Sequence, residues 1–344
     1  MTTARDIAER LNLSVSTVGR ALADDRRISA ETKLRVNQVA QELGYVVNRA
    51  ARMMRGARSP VVGLIVPDIR NSFYSTVAHA LTETMGARDH QVMLCETGDD
   101  RQSELRQVRD LTAAQVSGVV IVPTAKPLPE VGRLLSPLPH VQFLRKVPSL
   151  GPHWFGIDDR RVIEQATEHL LALGHRRIGY IGGAVELPTA EARLAGFRAA
   201  MEAAAVRAED QLTVFGPPAS ANFGAAALAR LLDDAEPPTA VVSGSVQVTR
   251  GFLEQAHRTR LDVPGALSMV GFGDEVGFSW WGPGLTTISL PMHELATSCG
   301  AWLMRRIDTS VTGNGTNGDH AQPPFSSVSP GVLVERGSTR ALEA

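Results

Sequence analysis

The sequence predicts an α/β chain of two unlike parts: a short all-α module at the N-terminus, then one or two domains built on doubly wound parallel sheets. Three observations carry this. The first sixty residues read as three short helices and a linker. From residue 60 onward, short apolar runs rich in β-branched residues alternate with stretches of helical periodicity, the pattern of strands joined by helical crossovers. The length, 344 residues, exceeds one average domain of roughly 150 residues, so two or three compact units are expected, each able to bury a core without disulfides or metals.

Composition narrows the class. With 43% hydrophobic and 5% aromatic residues, the chain reads as a soluble globular protein. Cys95 and Cys299 lie far apart and form no CxxC pair, which supports neither a disulfide framework nor a cysteine zinc site. The first twenty residues carry Arg5, Asp6, Glu9, Arg10 and Arg20 and no apolar leader segment, and no run of about 18 apolar residues occurs. A cytoplasmic protein with no membrane association is expected. The near balance of 35 basic and 36 acidic residues argues against a nucleic-acid partner only if the charge is evenly spread. It is not. Residues 1–58 hold 11 basic and 6 acidic residues, a net +5, and the rest of the chain holds 24 and 30, a net −6. A small basic module precedes a larger, mildly acidic one.

The elements follow in order. Residues 5–11 place Ile7, Ala8 and Leu11 on one face of a short helix. Asn12 falls where a tight turn needs positive φ, which Asn tolerates. Ser14 is a good N-cap for a second helix over 15–22 that turns Val18, Ala21 and Leu22 inward. Helix, turn of about three residues, helix is the helix-turn-helix spacing, though an ordinary three-helix mini-domain shares it. A third helix, capped by Ser29, spans 30–43 with Leu34, Val36, Val39, Ala40 and Leu43 as candidate core, and Gly44 closes it. Residues 48–58 (NRAARMMRGAR) carry four arginines and no acid. On a helix, Arg49, Arg52, Arg55 and Arg58 form a cationic ridge that cannot pack on a core and would order against a polyanion; a solvated linker is the alternative.

Beyond residue 60, strands are expected over 61–66, 91–95, 119–122, 141–144, 178–181, 212–215, 240–243 and 267–272. Helices are expected between most of them, among others over 74–87, 101–114, 162–173, 190–203 and 225–232. Residues 312–330, rich in Gly, Asn, Pro and Ser, read as an exposed loop. Enzyme motifs are absent: the first strand ends in Pro67-Asp68-Ile69-Arg70-Asn71 without a glycine-rich phosphate turn, and no GxxxxGK[ST], GxSxG or HExxH occurs. Gly271-Phe272-Gly273-Asp274 matches half a dinucleotide fingerprint, but Gly277 lies one residue too far on. No catalytic residue, cofactor or metal is expected.

Thr3-Ala4-Arg5-Asp6-Ile7-Ala8, Leu13 to Leu22 (LSVSTVGRAL), Ser29-Ala30-Glu31-Thr32, Glu42-Leu43-Gly44-Tyr45 and Asn48-Arg49-Ala50-Ala51 resemble the headpiece of the LacI/GalR family of bacterial transcription regulators. The resemblance runs on through Gly63 to Ile69, Gly118-Val119-Val120, His169-Leu170, Gly174 to Ile178, Arg193-Leu194-Ala195-Gly196-Phe197, Leu285 to Ile288 and Arg336-Gly337-Ser338-Thr339, covering essentially the whole chain. It implies a headpiece over 1–47, a hinge helix over 48–59, and an effector-binding, dimerising domain over 60–344. That domain would hold two periplasmic-binding-protein-like subdomains with crossovers near 158, 289 and 325. It further implies a homodimer that reads a pseudo-palindromic double-stranded DNA operator, as a repressor released by a small-molecule effector.

Carried over by position, the resemblance puts Val15, Ser16 and Arg20 at base edges, and Ser14, Thr17 and Asn48 at the DNA backbone. Arg20 is the strongest reader, since a guanidinium pairs bidentately with G O6 and N7. Arg49, Ala51, Arg52, Met54 and Arg55 belong to the hinge, with Met54 where the family usually wedges a leucine into the minor groove. Gly19 replaces a usual serine. For the effector, the resemblance implies Phe73 and Tyr74 as stacking residues, Arg193 as a gripping cation, and Asp158, Ser245, Gly273 and Asp274 nearby. Sugar-binding members typically carry Asp where this chain has Gly273, Asn-Asp where it has Ser245, and often Gln where it has Leu290. An Asp beside an anionic ligand repels it by about 4 kcal/mol at ~4 Å, so its loss with Arg193 kept points to a sugar acid such as gluconate, a neutral sugar coming next. The Gly-Phe-Gly-Asp turn is similar to that of the gluconate-repressor-like branch. A solute-binding protein or sugar-active enzyme on the same large fold is the alternative; the first would need a signal peptide and no basic headpiece.

Overall fold

The computed structural model describes residues 2–22, 25–45, 59–216, 220–311 and 325–342. The chain divides into two units, Met1–Ser59 and Pro60–Ala344.

Among the described residues of the N-terminal unit, three helices form because each is capped locally. Helix α1 (Ala4–Leu11) carries a capping box, with Thr3 and Asp6 satisfying each other's backbone N–H groups. It ends at Asn12, which adopts φ 52°, the left-handed turn expected of it. Helix α2 (Val15–Leu22) starts from Ser14, whose Oγ accepts from the Thr17 N–H at 3.0 Å. Helix α3 (Ala30–Glu42) starts from Ser29 in the same way and stops at Gly44, φ +61°. There the N–H groups of Gly44 and Tyr45 bond back to the Gln41 and Ala40 carbonyls, a glycine-dependent stop. Ile7, Ala8, Val18, Ala21, Val36 and Ala40 form the core. Leu34, expected in that core, is instead 72% exposed: the helix buries Val36 and Ala40 and turns Leu34 outward.

The larger unit alternates strands and helices in chain order: β1 (Ser59–Val66), α4 (Ser72–Gly86), β2 (Gln91–Glu96), α5 (Arg101–Ala113), β3 (Val116–Ile121), α6 (Pro129–Leu135), β4 (His140–Phe143), β5 (Trp154–Ile157), α7 (Asp159–Ala172), β6 (Ile178–Gly182), α8 (Pro188–Ala203), β7 (Gln211–Phe215), α9 (Ala221–Leu232), β8 (Ala240–Ser243), α10 (Val246–Thr259), β9 (Ser268–Phe272), α11 (Val276–Trp280), β10 (Thr286–Ser289), α12 (Met292–Val311), β11 (Ser326–Ser329) and β12 (Val332–Val334). Two six-stranded sheets result, ordered β11-β5-β4-β3-β1-β2 and β12-β10-β9-β8-β6-β7. The chain passes between them after β5, after β10 and between β11 and β12, the last at residues 330–331.

Pairing is parallel for β1–β2, β3–β4, β4–β5, β5–β11, β6–β7, β6–β8, β8–β9 and β9–β10. The edge strand β12 runs antiparallel, against β10. It enters the second sheet straight from β11 with no helix to turn the chain round, which a parallel return requires. Strands β1, β3, β6, β8 and β9 are buried almost throughout, as sheets covered on both faces demand. Close helix approach is bought with glycine: a Cβ at Gly196 in α8 would meet the Arg160 carbonyl of α7 at 2.1 Å, and one at Gly251 in α10 the Ala221 carbonyl of α9 at 2.2 Å. The sequence pattern does not mark strands β5, β10, β11 and β12, and β11 falls inside the 312–330 stretch that reads as loop, of which residues 312–324 lie outside the described residues.

Candidate functional site

The sequence points to two sites, one in each unit.

On α2, Val15, Ser16 and Arg20 are exposed, while Val18 and Ala21 on the opposite side are buried. The helical period therefore gathers the three candidate readers on one outward face. Ser14 and Thr17 sit at its N-terminus, their hydroxyls 2.8 Å apart, so both are partly engaged in the cap. In the following turn Arg27 clamps Asp25 through its Nε at 3.0 Å and Nη2 at 2.6 Å, which holds the Asp25 carboxyl well below the usual carboxylate range. Asn48, Arg49, Ala51, Arg52, Met54 and Arg55 lie outside the described residues.

In the larger unit a cavity of about 320 Å³ opens at the carboxyl ends of both sheets. Its wall comes from the residues just past β1 (Pro67, Asp68), β2 (Gly98, Asp99), β4 (Leu144, Arg145), β6 (Gly183) and β8 (Gly244, Ser245), with Phe272 closing β9. That is the crevice where doubly wound sheets present loops to a ligand. Helices α4 and α10 begin at the cavity, capped by Asn71 and Ser245, and their N-terminal N–H groups add acceptor-seeking partial charge.

Of the expected effector residues, Phe73, Tyr74, Arg193 and Ser245 line this cavity. Phe73 and Phe272 sit 6.0 Å apart, ring centre to ring centre. Burial raises the Tyr74 hydroxyl pKa, so it stays a protonated donor. The Ser245 hydroxyl accepts from the Val248 N–H at 3.2 Å and serves α10 as its cap.

Asp158, Gly273 and Asp274 are not among the lining residues. Asp158 is exposed and caps α7 through the Arg161 N–H at 3.0 Å. Asp274 is held by Arg336 in a two-point ion pair at 2.8 and 2.9 Å. Gly273 has φ +81°, and a Cβ there would meet Val246 at 2.4 Å and the Phe73 ring at 3.0 Å. Packing, rather than the deletion of a ligand-binding carboxylate, accounts for the glycine. Leu290 packs on the core.

The partners that sequence reading missed are Asp159, Arg145 and Asp99. Arg193 contacts Asp159 Oδ1 through Nε at 2.7 Å and Nη2 at 2.6 Å, donates from Nη1 to the Gly244 carbonyl at 2.8 Å, and lies over Phe272 at 4.1 Å. Burial pushes the Asp159 carboxyl pKa up, against the pull of Arg193. Arg145, 7% exposed, donates to both carboxylate oxygens of Asp99 and to the Pro123 carbonyl. At the rim Arg70 pairs with Asp68 at 2.9 and 3.0 Å. Each arginine of the wall therefore already holds an aspartate, and Glu96 adds a further acid. Among the described residues no group of three or more His, Cys, Asp or Glu is placed to hold a metal ion, and no helix is long and apolar enough to cross a membrane.

Residues 3–48 match the model of bacterial regulatory proteins, lacI family, and residues 167–339 match the periplasmic binding protein-like domain. The HTH-type transcriptional repressor CytR of Escherichia coli K12 is 29% identical over 343 residues, covering 99% of this chain and 97% of the relative. The HTH-type transcriptional regulator GalR of the same organism is 26% identical over 347 residues, covering 100% and 98%. Among solved structures, the Lac repressor dimer bound to operator and the anti-inducer ONPF superposes with a TM-score of 0.83 at 23% identity, covering 99% of each chain. At that identity the likeness is one of fold.

Proposed function

The chain belongs to the lacI family of bacterial regulatory proteins and is a DNA-binding transcriptional regulator, and we propose that it is a cytoplasmic homodimeric repressor whose operator affinity is set by a small polyhydroxylated effector in the cavity between its two sheets. Residues 1–47 form the headpiece in this reading, 48–59 the hinge, and 60–344 the effector-binding and dimerising part. Arg20, with Val15 and Ser16 beside it, reads base edges; Ser14, Thr17 and Asn48 fix the register on phosphates; Arg49, Ala51, Arg52, Met54 and Arg55 follow the minor groove. Two headpieces in a dimer read a pseudo-palindrome. Support for repression comes from the CytR name, and for a dimer on operator from the Lac repressor structure. Effector binding favours one arrangement of the two sheets over another, and DNA affinity changes by that difference.

The observation that carries the effector class is the pairing of arginine with aspartate along the wall. A paired guanidinium and carboxylate offer donors and acceptors together, which suits hydroxyls, and the aromatic rings of Phe73 and Phe272 suit the apolar face of a sugar. An anion would have to share each arginine with a carboxylate already in place. A neutral sugar-like effector therefore stands ahead of the sugar acid that the sequence favours. The acid is the second reading, supported by the two helix N-termini at the cavity.

The test is titration calorimetry of the full chain with neutral sugars, aldonic acids and purines, each hit being added to complexes with an operator selected from a randomised duplex pool. A neutral sugar that binds and lowers operator affinity is the expected result. Binding by aldonic acids alone makes the second reading correct, and binding by purines alone overturns both.

A further inference from the structure

Each arginine–aspartate pair of the cavity wall closes within its own sheet: Arg145 with Asp99 and Arg70 with Asp68 beside the first, Arg193 with Asp159 beside the second. These pairs do not tie one sheet to the other. Phe73 does cross. It belongs to the first turn of α4, beside the first sheet, where its N–H donates to the Asn71 side chain at 3.1 Å. Its ring reaches the end of the second sheet, with its centre 6.0 Å from that of Phe272, and Gly273 and Val246 complete the seat.

Gly273 shapes this seat. A Cβ there would meet two ring carbons of Phe73 at 3.0 and 3.1 Å and Val246 at 2.4 Å, so any other residue displaces the ring. The glycine is itself pinned, because its N–H donates to the Ile288 carbonyl at 2.8 Å and its carbonyl accepts from the Thr287 hydroxyl. Its φ of +81° is a backbone shape that glycine adopts at no steric cost. Val246 and Phe272 are 1% and 0% exposed. The seat is therefore fixed and apolar, and its occupant comes from the opposite sheet. Such a contact is made or lost as a unit, since a ring lifted even slightly from close packing forfeits much of its dispersion attraction.

We propose that Phe73 is a strut between the two sheets: seated on Gly273, it holds their arrangement in the effector-free chain and so sets the operator affinity from which an effector works. The strut itself is independent of which ligand the cavity takes; its link to DNA rests on the two-arrangement reading above. A contact present in one arrangement and absent from the other shifts their populations by its own free energy, with no ligand required.

The experiment compares the full native chain with Phe73→Ala, Phe73→Leu and Gly273→Ala, without effector, by hydrogen exchange and by titration with the selected operator. Exchange reports local opening element by element. In Phe73→Ala and Gly273→Ala, amides in the first turns of both α4 and α10 are expected to exchange tenfold faster or more. Operator affinity changes threefold or more, in the same direction for both variants. Phe73→Leu, which keeps an apolar side chain in the seat, stays within threefold of the native exchange rates. Faster exchange confined to α4 means that the ring serves its own helix alone and overturns the strut. Faster exchange in both helices with unchanged operator affinity leaves the strut standing and overturns its link to DNA, together with the two-arrangement reading on which that link rests.

Discussion

Arg193 shows what a single residue discloses in sequence and what it hides. Its motif marks a cation, yet its structure is half of a pair, and the other half is Asp159 rather than the neighbouring Asp158. An Asp-Asp doublet at a helix start does not say which carboxylate caps the helix and which turns inward; that is decided by the packing of α7 against α8. Arg145 had no readable signal beyond a charge following an apolar run, because its partner Asp99 is 46 residues away. On the DNA side the residue reading rests on simpler physics. The face of α2 opposite Val18 and Ala21 must be exposed, and Arg20 is on it. Arg20→Ala is expected to cost about 1–3 kcal/mol at the specific operator, erasing sequence preference while salt-sensitive nonspecific binding persists. Arg52→Ala is expected to weaken all sequences alike. Competition binding against scrambled duplexes measures both, and an undiminished operator preference in Arg20→Ala would refute the assigned readout.

At the scale of elements, local chemistry was legible and long-range company was not. Ser14, Ser29, Asn12 and Gly44 announce helix ends by their own preferences, and each acts as expected. The buried strands stand out as apolar runs. Strands β5, β10, β11 and β12 are three or four residues long, and β11 (SSVS) is mostly polar. They exist because neighbours pair with them, a tertiary cause that periodicity does not carry. The Arg-Gly-Ser-Thr segment is similar: Ser338, fully buried, donates to the Met269 carbonyl at 2.6 Å and accepts from the Thr286 N–H at 2.8 Å, tying the C-terminal segment to β9 and β10. Glycines give the sharpest test of helix packing. Gly251→Ala places a methyl 2.2 Å from one backbone atom of α9 and 2.6 Å from another, so α10 must move; the expected loss is on the order of 3 kcal/mol. Gly86→Ala, at the end of α4 with nothing within 4 Å, is expected to gain about 0.5 kcal/mol. Urea unfolding of the two variants decides this, and shifts of the same sign would contradict the packing argument.

For the whole molecule, charge location separates the two binding events. The first 58 residues carry a net +5 and the remainder a net −6, so the phosphate-facing work falls to a small basic part attached to an acidic one. DNA affinity should therefore respond steeply to ionic strength, because each phosphate neutralised releases condensed counterions. The cavity proposed for the effector follows a different rule. Its arginines are matched by aspartates at hydrogen-bond distance, and Arg145 and Arg193 with their partners are largely shielded from solvent, where salt screens little. Raising salt from about 50 to 200 mM is expected to weaken operator binding by roughly 10³-fold or more if six or more phosphates are contacted, while the dissociation constant of a neutral effector changes by less than about twofold. Operator titrations and effector calorimetry on the same preparation supply both slopes. A steep slope for the effector would mean that it enters as an anion against unpaired cations, which would overturn the neutral-sugar reading; a shallow slope for the operator would mean that the arginines of the first 58 residues do not meet phosphates at all.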